Sequence, residues 1–180
     1  MSAPPRDARA GDDDAPWWPV STAKFAIMTI GTLGLYHYYW IYYNWQRLRG
    51  REGAPLSPVW RTLFAPFTIY RMLARAHESA REAQVRAPWN PIGLAAVYFV
   101  ANIALLIGIP TWLMGPVLLL PVLPAQMTMA AVNAKVAPEA PRNDRITATN
   151  WAFLVLGLVT TAFLYAMSNV VDQLLKEWTP

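Results

Sequence analysis

Residues 25 to 43, FAIMTIGTLGLYHYYWIYY, run for nineteen positions without a formal charge. A helix of that length covers about 28 Å, close to the ~30 Å hydrocarbon core of a bilayer, so the run predicts a first membrane span. Three more uncharged runs follow: residues 90 to 110, opened by a helix-compatible Pro91 and closed by Pro110; residues 111 to 134, broken up by Pro116, Pro121 and Pro124; and residues 150 to 171. Together they predict an all-α integral membrane fold with four transmembrane helices. Composition agrees, because 14% charged residues is well below the roughly 25% of an average soluble domain.

Residues 1 to 19 are rich in Pro, Ala and Asp, show no periodicity, and read as a disordered N-terminal tail ahead of a single membrane domain over residues 20 to 180. The acidic start, with Asp12, Asp13 and Asp14, does not fit a secretory signal peptide. Between spans one and two, residues 57 to 86 place Trp60, Leu63, Phe64 and Phe67 at helical spacing, with Arg61 among them. The uncharged run within it, residues 62 to 70, is too short to span, which predicts a cytoplasmic interfacial amphipathic helix, with a re-entrant course of residues 56 to 73 as the alternative. Beyond Arg71 the charges alternate, and pairs such as Arg75 with Glu78 give modest support to a solvated helix.

Eleven of the fifteen Lys and Arg lie in two loops, residues 46 to 89 and 135 to 145. By the positive-inside rule both loops are expected in the cytoplasm and both termini outside. The segment LYHYYWIYYNW then falls in the inner half of span one, directly above the arginines. Tyr and Trp favour headgroup depth, where an apolar ring can keep a polar edge wet. Tyr42, Tyr43, Trp45 and Trp60, with Arg47, Arg49, Arg61 and Arg71, are therefore the expected contacts to anionic lipid headgroups. A stacking platform for nucleic acid would need these rings in water, and an aromatic cofactor cage is the remaining alternative.

TLGLYHYYWIYYNW, followed after a basic linker by SPVWRTLFAPFTIY, resembles a group of small bacterial multi-pass membrane proteins of uncharacterised function. Their first span has a Thr-Leu-Gly-Leu-Tyr start and a Tyr-Trp-x-Tyr-x-Asn-Trp finish. The resemblance covers roughly residues 20 to 80. It implies an inner-membrane location in a bacterium and supplies no functional residue.

Inside the spans, His37 and Asn44 share a helix face, and Asn102, Gln126, Asn133 and Asn169 add amides. Their ordinary use is hydrogen bonding between helices, and the sharper alternative is a polar path through the bundle. HESAR at residues 77 to 81 resembles a zinc-protease motif but puts Arg81 where the second histidine must stand. With two histidines, no cysteine, no Gly-rich phosphate loop and no G-x-S-x-G, nothing assembles a nucleophile with its base, and no catalytic, metal or cofactor site is expected. The expected function is a non-catalytic membrane accessory or interaction protein with a protein partner or a second copy of itself. The alternative is a small transporter or channel-like protein that uses the amides and the kinked third span.

Overall fold

The computed structural model describes residues 15 to 53 and 57 to 178, and every regular element in it is helical. The helices are α1 (Thr22–Gly31), α2 (Leu35–Glu52), α3 (Pro58–Leu63), α4 (Ala65–Glu82), α5 (Pro91–Leu106), α6 (Met114–Leu119), α7 (Leu123–Val136) and α8 (Ala148–Trp178), with a 3-10 turn at Thr111–Leu113 before α6.

The nineteen-residue run is not one straight span. It breaks at residues 32 to 34, where Leu33 and Gly34 take left-handed φ values of 53° and 91°. Gly34 suits that conformation, and any side chain there would also collide with Leu118. The Thr32 hydroxyl joins the two halves, donating to the Met28 carbonyl at 2.6 Å and accepting from the Tyr36 amide at 2.9 Å. In a continuous helix Phe25 and Trp40 would sit about 22 Å apart. Their ring centroids are 5.1 Å apart, so α1 and α2 form a tight antiparallel hairpin. Hydropathy matched the bilayer thickness but carries no information about direction.

The expected surface helix is also reshaped. It breaks at Phe64 into α3, which lies along α2, and α4, which packs between α5 and α7. Ala65, Ile69, Met72, Leu73, Ala76 and Ala80 form the buried stripe of α4, so its apolar face meets protein rather than lipid. Trp60, Phe64 and Phe67 do point outward as read. Arg75 bonds Glu78 at 2.8 Å and reaches Glu52 at the end of α2 at 2.9 Å. The bond to Glu78, then the charge of Glu52, holds its guanidinium above the ordinary value.

Asn90 caps α5 by accepting from the Ile92 and Gly93 amides, with Pro91 in its first turn. In the proline-rich run, Pro121 lies in the break between α6 and α7 and Pro124 in the first turn of α7. α8 has 31 residues and is the one helix among the described residues long and apolar enough to cross a membrane by itself. It touches the bundle at a glycine, because a Cβ on Gly157 would strike the Gly31 carbonyl of α1. Gly115 of α6 approaches the backbone of α1 in the same way, with Ile30 Cα 2.7 Å from where its Cβ would be. Residues 15 to 19 are not a tail: Trp17 is fully buried and Trp18 nearly so. Residues 1 to 14 lie outside the described residues.

The glycine contact gives a stability test. Gly157→Leu should cost about 1–3 kcal/mol, the usual range for overpacking, whereas Leu158→Phe on the exposed face should stay within about 0.5 kcal/mol. Thermal unfolding in mild detergent checks both, and equal effects would contradict close packing of α8 on α1.

Candidate functional site

Three of the polar side chains expected inside the spans, Asn44, Gln126 and Asn133, converge on the backbone of residues 15 to 20. Pro16 and Pro19 keep this stretch non-helical, because proline fixes its own φ and disfavours the helical region for the residue before it, and the chain bends at residues 15 to 17. Irregular chain inside a bundle leaves peptide groups without helical partners, and each unpaired buried group costs roughly 1–3 kcal/mol. The amides supply the partners. Asn133 of α7 pairs with both sides of Trp17: its Oδ1 accepts from the Trp17 amide at 2.9 Å and its Nδ2 donates to the Trp17 carbonyl at 2.8 Å. Asn44 of α2 accepts from the Trp18 amide at 3.0 Å and donates to the Trp40 carbonyl at 2.9 Å. Gln126, two turns before Asn133 on α7, donates to the Val20 carbonyl at 2.7 Å and accepts from the Trp40 indole at 2.6 Å.

The remaining groups are satisfied by backbone. The Val20 amide donates to the Trp18 carbonyl at 2.9 Å, and the Asn143 amide to the Pro19 carbonyl at 2.8 Å. From Trp17 to Val20 every peptide N–H and C=O therefore has a partner. Arg47 donates to the Ala15 carbonyl at 2.7 Å. The Trp17 indole donates to Ser79 at 3.2 Å, under the Arg51 guanidinium 4.9 Å from its ring. Trp18 stacks on Tyr43 at 5.2 Å and meets Tyr39 edge-on. Lys24, at the start of α1, donates to Asn143 Oδ1 at 2.6 Å and to the Arg145 carbonyl at 2.7 Å. The N-terminal segment thus lies at the same end of the bundle as both basic loops.

A second cluster sits near the hairpin turn. His37 is fully buried, with Nδ1 against the Gly34 carbonyl and Nε2 2.7 Å from the Tyr98 hydroxyl. A carbonyl can only accept, so Nδ1 carries the proton and Nε2 accepts from Tyr98. Asn102 donates to the Tyr98 carbonyl at 2.8 Å and accepts from the Tyr38 hydroxyl at 3.2 Å. His37 has both ring nitrogens engaged and ties the hairpin to α5.

The structure therefore joins Asn44, Gln126 and Asn133 around one segment and His37 with Asn102 around Tyr98. Asn169 stands apart, exposed on α8. The expected headgroup contacts divide. Trp45 is buried, under the Arg61 guanidinium 4.4 Å from its ring, and Tyr43 is spent on Trp18, while Arg47 turns inward to Ala15; these three are corrected from lipid contacts to parts of the protein's packing. Arg49, Arg71 and Trp60 are exposed, and Tyr42 is partly so with its hydroxyl bonded to Gln46. Sequence reasoning missed Trp17, Trp18, Ser79 and Tyr98. The first two had a readable signal, since a Trp pair between prolines is apolar and conformationally restricted. Among the described residues no group of three or more His, Cys, Asp or Glu is placed to hold a metal ion.

Asn133→Leu removes both partners of Trp17 and should cost roughly 1–3 kcal/mol for each peptide group left unpaired. Amide hydrogen exchange at Trp17 and Trp18 in the full chain checks this. Protection should fall sharply, while Asn169→Leu should leave it unchanged; unchanged protection in Asn133→Leu would contradict the clamp. No protein-family model, curated protein or solved structure matches the chain, so the reading of this site rests on its geometry.

Proposed function

We propose that the chain is a non-catalytic integral membrane accessory or interaction protein of the bacterial inner membrane. The observation that supports it is α8. Gly157 is buried, but Trp151, Phe153, Leu156, Leu158, Phe163, Tyr165 and Leu175 are all exposed. So much apolar surface on one helix requires lipid or another helix to cover it.

In this reading α8 crosses the bilayer, while the α1–α2 hairpin enters from the basic face, runs about 15 Å deep along the ten residues of α1, and returns. The four-span arrangement is replaced by re-entrant hairpins around a single full crossing. The charge balance favours this version, since Lys24 joins the two basic loops and Lys176 alone among the described basic residues lies toward the far end. The basic end is then cytoplasmic and faces anionic lipid, and the C-terminus is external. The rival transporter reading would draw on His37, Asn44, Asn102, Gln126 and Asn133, and these already bond one another's helices or the clamped segment.

Reporter fusions and gentle purification test the proposal together. Fusions at the N-terminus, near Arg86 and near Arg142 should read cytoplasmic and a fusion at the C-terminus external. The purified chain should carry a stoichiometric partner protein or a second copy. An external N-terminus would contradict the hairpin topology, and a partner-free monomer that binds solute would favour transport.

A further inference from the structure

We propose that the open groove between α2 and α3 binds one anionic phospholipid, with an acyl chain along its walls and the phosphate between Arg49 and Arg61. The proposal rests on the membrane reading above. The groove has a volume of about 600 Å³ and is lined by Tyr38, Tyr39, Tyr42, Val59, Thr62 and Leu63. Val59 is 61% and Leu63 65% exposed, so the walls are bare apolar surface on the outside of the bundle.

The polar groups along the groove are largely committed elsewhere. The Tyr38 hydroxyl donates to Asn102, the Thr62 hydroxyl donates to the Pro58 carbonyl at 2.8 Å, and the Tyr42 hydroxyl accepts from Gln46. An occupant with its own peptide groups would find few partners here, whereas an acyl chain needs none. That selects lipid over a peptide segment.

Charge selects the headgroup. The groove runs along α2 toward the basic end. One turn past Tyr42 lies Trp45, over whose ring Arg61 is held at 4.4 Å. Two turns past Tyr42 on the same face comes Arg49, which is exposed. No acidic side chain lines the groove, and Glu52 beyond it is paired with Arg75. Two guanidiniums at the polar end of an apolar groove, with no nearby carboxylate in its walls, complement a lipid phosphate with net negative charge.

The test uses the full chain in nanodiscs containing phosphatidylglycerol with a photoreactive group on its acyl chain, and labelled residues are mapped by mass spectrometry. Labelling should concentrate on Tyr38, Tyr42, Val59 and Leu63. Unlabelled phosphatidylglycerol should compete at least tenfold better than phosphatidylcholine. Val59→Trp, at an exposed wall position, should abolish groove labelling, and Arg49→Gln with Arg61→Gln should reduce the headgroup preference to within about twofold. Entry into the bilayer with labelling spread evenly over the exposed apolar face, or equal competition by both lipids, overturns the site alone. Failure of the chain to enter the bilayer overturns the membrane reading together with the site.

Discussion

The fold depends on the pairing of a short non-helical segment with buried amides. Residues 15 to 20 occupy the place where α1, α2, α4 and α7 would otherwise leave a gap, and Asn44, Gln126 and Asn133 complete its hydrogen bonding. A buried amide without a partner is costly, and so is buried non-helical backbone; each cancels the other's penalty. This explains why a bundle so apolar keeps three amides in its interior, and why they sit on two helices facing the same strip of chain. The two tryptophans add a large apolar payload, one under Arg51 and the other among the tyrosines of α2.

The hairpin follows from the same arrangement. For the segment before α1 to reach Asn44 near the middle of α2, α1 must run back along α2, and the left-handed pair Leu33 and Gly34 provides the reversal. Glycine contacts to α1, from Gly115 and Gly157, then let α6 and α8 approach its backbone closely. The aromatic density of α2 has one origin in this geometry: Tyr36, Tyr39 and Tyr43 receive Trp18, Trp40 meets Phe25, and Tyr38 and Tyr42 face the groove beside α3. Tyr39, which also lines that groove, is exposed as well, so only Tyr38, Tyr39 and Tyr42 of the cluster face the surroundings that all of it was expected to meet.

Helical content, the broken character of the proline-rich run, the helix opening at Pro91 and the Arg75 to Glu78 pair were legible because each depends on local spacing. The polar residues were legible as hydrogen-bonding groups for the same reason, since an amide in an apolar helix must be satisfied somewhere. Their partner was hidden, because the pairing of Trp17 with Asn133 spans 116 residues and leaves no periodic trace. The turn at Gly34 was hidden in a different way. A glycine inside a long apolar run is compatible with a continuous membrane helix, and the nineteen uncharged residues fitted one bilayer thickness as well as they fit two short antiparallel helices. Residues 15 to 19 were lost to composition, which the neighbouring Pro, Ala and Asp dominate.

The hairpin and the clamped segment stand or fall on whether α1 runs back along α2. The chain contains no cysteine, so spin labels can be placed at Ala23→Cys and Gln46→Cys alone, both exposed positions. A pulsed dipolar distance between them in lipid nanodiscs should be about 20 Å or less, as for neighbouring antiparallel helices. A distance of about 35 Å, the length of a continuous helix over those 23 residues, would contradict the account.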